Sequence, residues 1–182
     1  GVKNLHCDGL IFSGYNSATP MARSRSTFSG IYLEHPVNCT IRNSIACLNG
    51  GGFTLVQPVD SSIEDCLMFR NNNEFNGEGG NLVCYGPAVR TSQRRLISFG
   101  STTSGLRFYG GTFEQSWIED CVSFDNRYGD IWIKYPSDSS GVRRCFASNS
   151  IHSRIIKNSI FTDGDSYYGG KAENSICRSR EG

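Results

Sequence analysis

Two short runs of this chain put cations and aromatic rings at one spacing. Arg107 and Tyr109 stand two residues apart, as do Trp132 and Lys134, 25 residues further on. Residues i and i+2 of a strand point to the same face. Each run therefore presents a ring beside a cation. Stacked as neighbouring strands about 4.8 Å apart, the four side chains form one patch, with Tyr85 at its edge. Such a patch suits a sugar chain bearing carboxylates: rings lie on pyranose faces, and a guanidinium forks onto a carboxylate. The same residue types also serve any exposed sheet, so both readings stand at this point.

Other chemistries find less support. His6, His35 and His152 fall at unrelated places, which gives no triad and no metal site. No Gly-x-Ser-x-Gly elbow and no Cys/His zinc spacing occurs. No cofactor is expected, and calcium would need a carboxylate cluster that the pattern lacks. Asn38-Cys39-Thr40 is a formal glycosylation sequon. The net charge is +1 without a basic stripe, which argues against nucleic acid. No apolar run approaches the ~18 residues of a membrane span. The compartment stays open, an extracellular or virion setting included.

The elements that must position the patch repeat along the chain. A Gly, Asn or Asp opens each copy, followed by apolar, outward and apolar residues. The copies are Gly30-Ile31-Tyr32-Leu33, Gly52-Phe53-Thr54-Leu55, Asn81-Leu82-Val83-Cys84, Gly105-Leu106-Arg107-Phe108 and Asp130-Ile131-Trp132-Ile133. Alternation inside each copy predicts a strand. Recurrence every two dozen residues or so predicts a solenoid. The phrase yields two outward rows: Tyr32, Thr54, Val83, Arg107, Trp132, and Glu34, Val56, Tyr85, Tyr109, Lys134, with His35 and Tyr135 continuing past them.

A second phrase follows, as in Ile63-Glu64-Asp65-Cys66-Leu67 and Ile118-Glu119-Asp120-Cys121-Val122. Its Asn or Asp predicts a tight left-handed bend. Stacked on successive turns, these side chains are expected to form a ladder of hydrogen bonds. Arg144 and Gln93-Arg94-Arg95 break the rule and are expected to interrupt that ladder. The position after the bend is Ser or Cys, so most cysteines read as small buried hydrophobes rather than disulfide partners. Asn49, Asn71 and Asn126 recur five residues after that small position. Long polar stretches, 13–29, 71–80 and 162–170, read as loops. Both apolar positions of every strand are expected to line the axis, in three parallel sheets. Beyond Cys145 the spacing shortens, which predicts a tight or distorted coil or a cap. One β-helix domain over residues 1–182 is expected. The start without Met and the lack of a capping helix point to a piece of a longer chain.

The run Ile-Glu-Asp-Cys-Leu, then Asn, then Gly-apolar-x-apolar resembles the right-handed parallel β-helix repeat of the pectate-lyase-like superfamily, over about residues 28–148. The resemblance implies an all-β, right-handed solenoid whose substrate groove follows one parallel sheet. It does not choose an activity. The carboxylate cluster of the calcium-dependent lyases is missing, since only Glu34 lies on the strand face and Asp130 at a strand entrance. The close Asp pairs of the polygalacturonases and the Asp-Pro-x-His of the uronate epimerases are also missing. Lyases of this fold that use a Lys and an Arg one coil apart are matched loosely by Arg107 and Lys134, with Tyr109 as proton donor.

Two functions are therefore expected. One is a carbohydrate-interacting domain that binds, and with lyase-type chemistry cleaves, an acidic polysaccharide through Tyr32, Glu34, Tyr85, Arg107, Tyr109, Trp132 and Lys134. The other is a structural or adhesive solenoid module, of the tailspike or surface-protein kind, that self-associates through uncapped ends.

Overall fold

The computed structural model describes residues 1–14, 29–71, 80–134, 137–161 and 171–177. Three sheets take one strand from each circuit, and every pairing is parallel. Sheet 1 has eight strands, from His6–Asp8 to Lys171–Glu173. Sheet 2 has eight, from Ile11–Ser13 to Ile176–Cys177. Sheet 3 has six: Ser29–Glu34, Gly51–Val56, Gly80–Tyr85, Ser104–Tyr109, Gly129–Ile133 and Ile151–His152. The chain is a parallel β-helix. A fourth, narrow ladder joins the three expected sheets. It runs Lys3, Val37, Val59, Val89 and then Glu114, also parallel. Tyr135 and the interiors of the three long loops lie outside the described residues.

Left-handed corners make the winding possible. Between sheets 1 and 2 the corner residues are Asn43, Asp65, Arg95, Asp120, Arg144, Asn158 and Asn174, all with φ between 48° and 56°. Arg95 and Arg144 thus keep the bend, and their bonds to the corner before them continue the side-chain ladder that they were expected to interrupt. The conformation is unfavourable for a bulky residue, and each arginine is held by the corner one circuit before it. Arg95 forks onto Asp65 at 2.6 and 2.7 Å, and Arg144 onto Asp120 at 2.6 and 2.8 Å. The next residue turns inward: Ser44, Cys66, Cys121, Cys145 and Ser159 are all buried. Its side chain meets the preceding circuit's backbone, as where Cys145 N donates to Ser159 Oγ at 3.1 Å. Every cysteine is a free thiol.

That inward turn resets the strand's phase and overturns one expectation. In sheet 2 the apolar residue just after the corner points out, not in. Its outer row reads Ile11, Ile45, Leu67, Ile97, Val122, Phe146, Ile160, Ile176 in continuous register. The residues facing the axis in its middle circuits are small or slender instead, Ala46, Met68, Ser98, Ser123 and Ala147, with Phe12 and Phe161 at the two ends. Sheets 1 and 3 behave as expected. Ile41, Ile63, Ile118, Val142 and Ile156 line the axis from sheet 1, and Phe53, Leu55, Leu82, Leu106, Phe108, Ile131 and Ile133 from sheet 3. Gln93 interrupts the sheet 1 row, stacked between Ile63 and Ile118.

A polar chain runs beside this core. Asn49 Nδ2 donates to Asn71 Oδ1, Asn71 Nδ2 to Asn81 Oδ1, Asn81 Nδ2 to Asn126 Oδ1, and Asn126 Nδ2 to Asp130 Oδ1. The Asp130 carboxylate ends the chain and also accepts from Ser148 Oγ and Asn149 N. Asp130 is therefore a fully engaged structural acid. A glycine is needed where the opening phrase has no such side chain: a Cβ on Gly52 would collide with the Asn81 carbonyl oxygen.

After Cys145 the coil does tighten. Cys145 bonds to Ser159 only 14 residues on, against 25 between Thr91 and Ser116. Three strands still fit, because two of them, Phe146–Ala147 and Ile151–His152, have shrunk to two residues.

Candidate functional site

The outer face of sheet 3 carries the residues singled out above. Register stacks Tyr32 on Thr54, Thr54 on Val83, Val83 on Arg107, and Arg107 on Trp132. Tyr109 stacks on Tyr85 in the second row. The face divides into two halves. Tyr32 and Glu34 form a small cluster on the first strand, where Tyr32 Oη donates to Glu34 Oε1 at 2.9 Å. Tyr85, Arg107, Tyr109, Trp132 and Lys134 form the other, two to four circuits away.

In the second half each side chain leans on the next. The Tyr85 and Tyr109 rings meet edge to face at 6.0 Å, and Tyr109 and Trp132 at 5.9 Å. The Arg107 guanidinium lies 4.5 Å from the Tyr109 ring centre and 5.0 Å from that of Trp132. Its Nη1 donates to Ser104 Oγ at 3.4 Å. Lys134 Nζ sits 4.6 Å from the Tyr109 ring centre and 3.4 Å from its hydroxyl. Cation–π contact on this scale is worth about 0.5–2 kcal/mol, more when water is excluded.

The expectation of an open face fails in the middle of the sheet. Thr54, Val83, Tyr85 and Arg107 point outward yet are only 4, 1, 6 and 2% exposed. Parity along a strand fixes the side of the sheet, not the degree of cover on that side. Tyr109, Trp132 and Lys134 remain half-buried. The Trp132 indole Nε1 is buried without a hydrogen-bond partner among the described residues.

Two residues of the site were not anticipated. His152 stacks on Trp132 and extends the outer row, with ring centres 5.6 Å apart. Its Nε2 lies 3.1 Å from Ser150 Oγ. Burial pushes its pKa below the usual histidine value, so the ring is neutral at neutral pH. The signal was present as Ile151-His152, but the tight circuit compresses the phrase to two residues. Gln93 reaches from the core, its Nε2 donating to the Arg107 carbonyl oxygen at 3.1 Å, while its Oε1 is buried without a partner among the described residues.

The arrangement offers half-buried rings, the Lys134 cation and a neutral imidazole on about three successive strands. Among the described residues no three of His, Cys, Asp and Glu gather closely enough to hold a metal ion. No family model, curated protein or solved structure matches the chain.

Proposed function

We propose that this chain is a carbohydrate-interacting β-helix module of the pectate-lyase-like kind. It binds an acidic polysaccharide along the downstream half of sheet 3. The observation that carries the reading is the run of rings Tyr109, Trp132 and His152, each against the next, with Lys134 beside Tyr109, all half-buried. Half-buried rings can still offer a face to a pyranose. Lys134 supplies the charge that a uronate carboxylate would meet.

Binding is favoured over cleavage. Lyase chemistry on a uronate needs a base beside the carbon next to the carboxylate, a proton donor at the leaving oxygen, and a cation on the carboxylate. Lys134 and Tyr109 are close enough to share the first two roles. Arg107 would be the third, but it is 2% exposed and stacked against two rings. It holds the patch together more readily than it reaches a ligand.

Affinity electrophoresis in gels containing polygalacturonate or alginate tests this. Retardation that weakens about tenfold in Trp132→Ala and in Lys134→Ala, a loss of about 1.4 kcal/mol each, is the expected result. Equal mobility with and without polymer would sink it. Ultraviolet absorbance of an unsaturated product, lost in Lys134→Ala, would instead restore cleavage. A structural or adhesive module is the second reading, and the apolar outer row of sheet 2 favours it.

A further inference from the structure

The outer row of sheet 2 has no counterpart elsewhere on the described surface. Eight successive strands each place an aliphatic or phenyl side chain outward, in unbroken register. Ile11, Ile97, Val122, Phe146, Ile160 and Ile176 are 71, 46, 39, 40, 47 and 62% exposed. A second outer row adds stacked phenyl rings: Phe69 on Phe99 at 5.3 Å, and Phe99 on Phe124 at 5.0 Å. At about 4.8 Å per strand the stripe is about 34 Å long. It presents on the order of 600–800 Å² of apolar surface, beyond the ~300–600 Å² of the largest patch on an ordinary monomer. A standard interface buries about 800 Å² per partner.

We propose that this face is a docking surface for a second copy of the same chain, packed sheet on sheet. Three observations favour that occupant. The area matches what one side of a stable dimer needs. The ridges recur at the strand spacing, and a second copy brings ridges of identical spacing that meet them one for one along the whole stripe. The charges at the border are self-complementary. The corner row beside the stripe reads Asp65, Arg95, Asp120, Arg144 on successive circuits. A two-fold axis lying along the strands, between Ile97 and Val122, sets the copies antiparallel. Arg95 then faces the second copy's Asp120, and Asp65 its Arg144. A border of one sign would repel a second copy, whereas this one accepts it. Main-chain groups within sheet 2 are already paired to the strands on either side, so the contact is made by side chains and differs from stacking of solenoid ends.

Sedimentation velocity over a hundredfold concentration range tests the proposal, with Ile97→Glu as the variant. Ile97 flanks the proposed axis, and at 46% exposure its replacement leaves the core intact. A closed dimer is expected for the unaltered chain. Its dissociation constant should rise at least a hundredfold in Ile97→Glu, while the circular dichroism spectrum stays the same. Should Ile97→Glu fail to fold, Ile97→Ser is read instead, with a rise of about tenfold expected. A monomer at every concentration overturns the proposal. So does open-ended growth, or a dimer indifferent to both substitutions. Glycan retardation by sheet 3 is a separate readout, so either reading can fail alone.

Discussion

Sheets 1 and 2 are wound from the same circuits, have the same number of strands and meet at one row of corners, yet their outer faces are opposite in chemistry. Sheet 1 presents Asp8, Arg42, Glu64, Arg94, Glu119, Arg143, Lys157 and Glu173 in register. The sign alternates as far as Arg143, and neighbours pair across circuits: Arg94 with Glu64 at 2.8 Å, Arg143 with Glu119 at 2.6 Å, Lys157 with Glu173 at 3.0 Å. The matching outer row of sheet 2 presents only apolar residues. Sheet 1 therefore specifies which circuit sits on which, because a slip by one circuit puts like charges together. Sheet 2 specifies no order along its stripe and suits packing against something outside the chain. The interior beneath both is continuous, so the difference is one of surface, not of fold.

The sharpest way to break this comparison is to cut one inward and one outward residue of the same type. Ile118→Ala opens a cavity beneath sheet 1, where the side chain is fully buried, and should cost about 2–5 kcal/mol in urea unfolding. Ile97→Ala, on the outer row of sheet 2, should cost less than about 1 kcal/mol in the monomer. Similar losses would mean that the stripe is part of the core.

Next in size is the acid shared by two arginines. Glu119 accepts from Arg143 Nε at 2.6 Å and from Arg144 Nη2 at 3.1 Å, with its side chain 9% exposed. Glu119→Gln keeps the shape and removes the charge. It leaves two guanidiniums without their common anion, and about 1–3 kcal/mol of stability should go with it. Val122→Thr, on the neighbouring strand of sheet 2, should fall within about 0.5 kcal/mol in the monomer. If Glu119→Gln is equally silent, the charged row is only a solvated face.

How far the sequence foretold this arrangement depends on the corner. Sheet 3 was legible because its strands are long enough to show alternation, as in Gly105-Leu106-Arg107-Phe108 between polar loops. Sheet 1 was legible because its one apolar residue sits two places before the corner, as Ile63 before Asp65 and Ile118 before Asp120, and does point inward. Sheet 2 was not: the corner turns Cys66 inward, so Leu67 must point out, while a simple count of apolar residues puts Leu67 in the core. The fourth ladder gives one or two residues per circuit, too few for any period. Arg95 and Arg144 look wrong for a left-handed bend until their partners Asp65 and Asp120, one circuit away, are in view. The aromatic-cationic patch was legible as a row, but the burial of Arg107 was not, since cover over a sheet is a property of the whole chain's path.

The smallest effect separates the sheets by pH. Hydrogen bonds from Arg95 hold the Asp65 carboxyl below its usual pKa, and those from Arg144 do the same for Asp120. Burial alone would raise Glu64, but bonds from Ser62, Arg94 and Arg95 outweigh it and bring it down as well. A carboxyl whose folded pKa is lowered gives its full stabilisation above the unfolded value, about 4, and loses it as pH falls through the folded value. The sheet 1 side should therefore weaken only below about pH 4. These groups are largely exposed apart from Glu64, so screening limits each pair to a fraction of about 1 kcal/mol. His152, on sheet 3, acts in a higher window. Its lowered pKa favours the neutral ring in the fold, so stability is complete above about pH 6.5 and declines as pH drops from there through the folded value. Sheet 2's outer row has no titrating group and contributes nothing to either step. Melting curves should show two shallow declines, and His152→Gln should remove the upper one alone. A single decline unaffected by that substitution would detach His152 from the packed row that Trp132 begins.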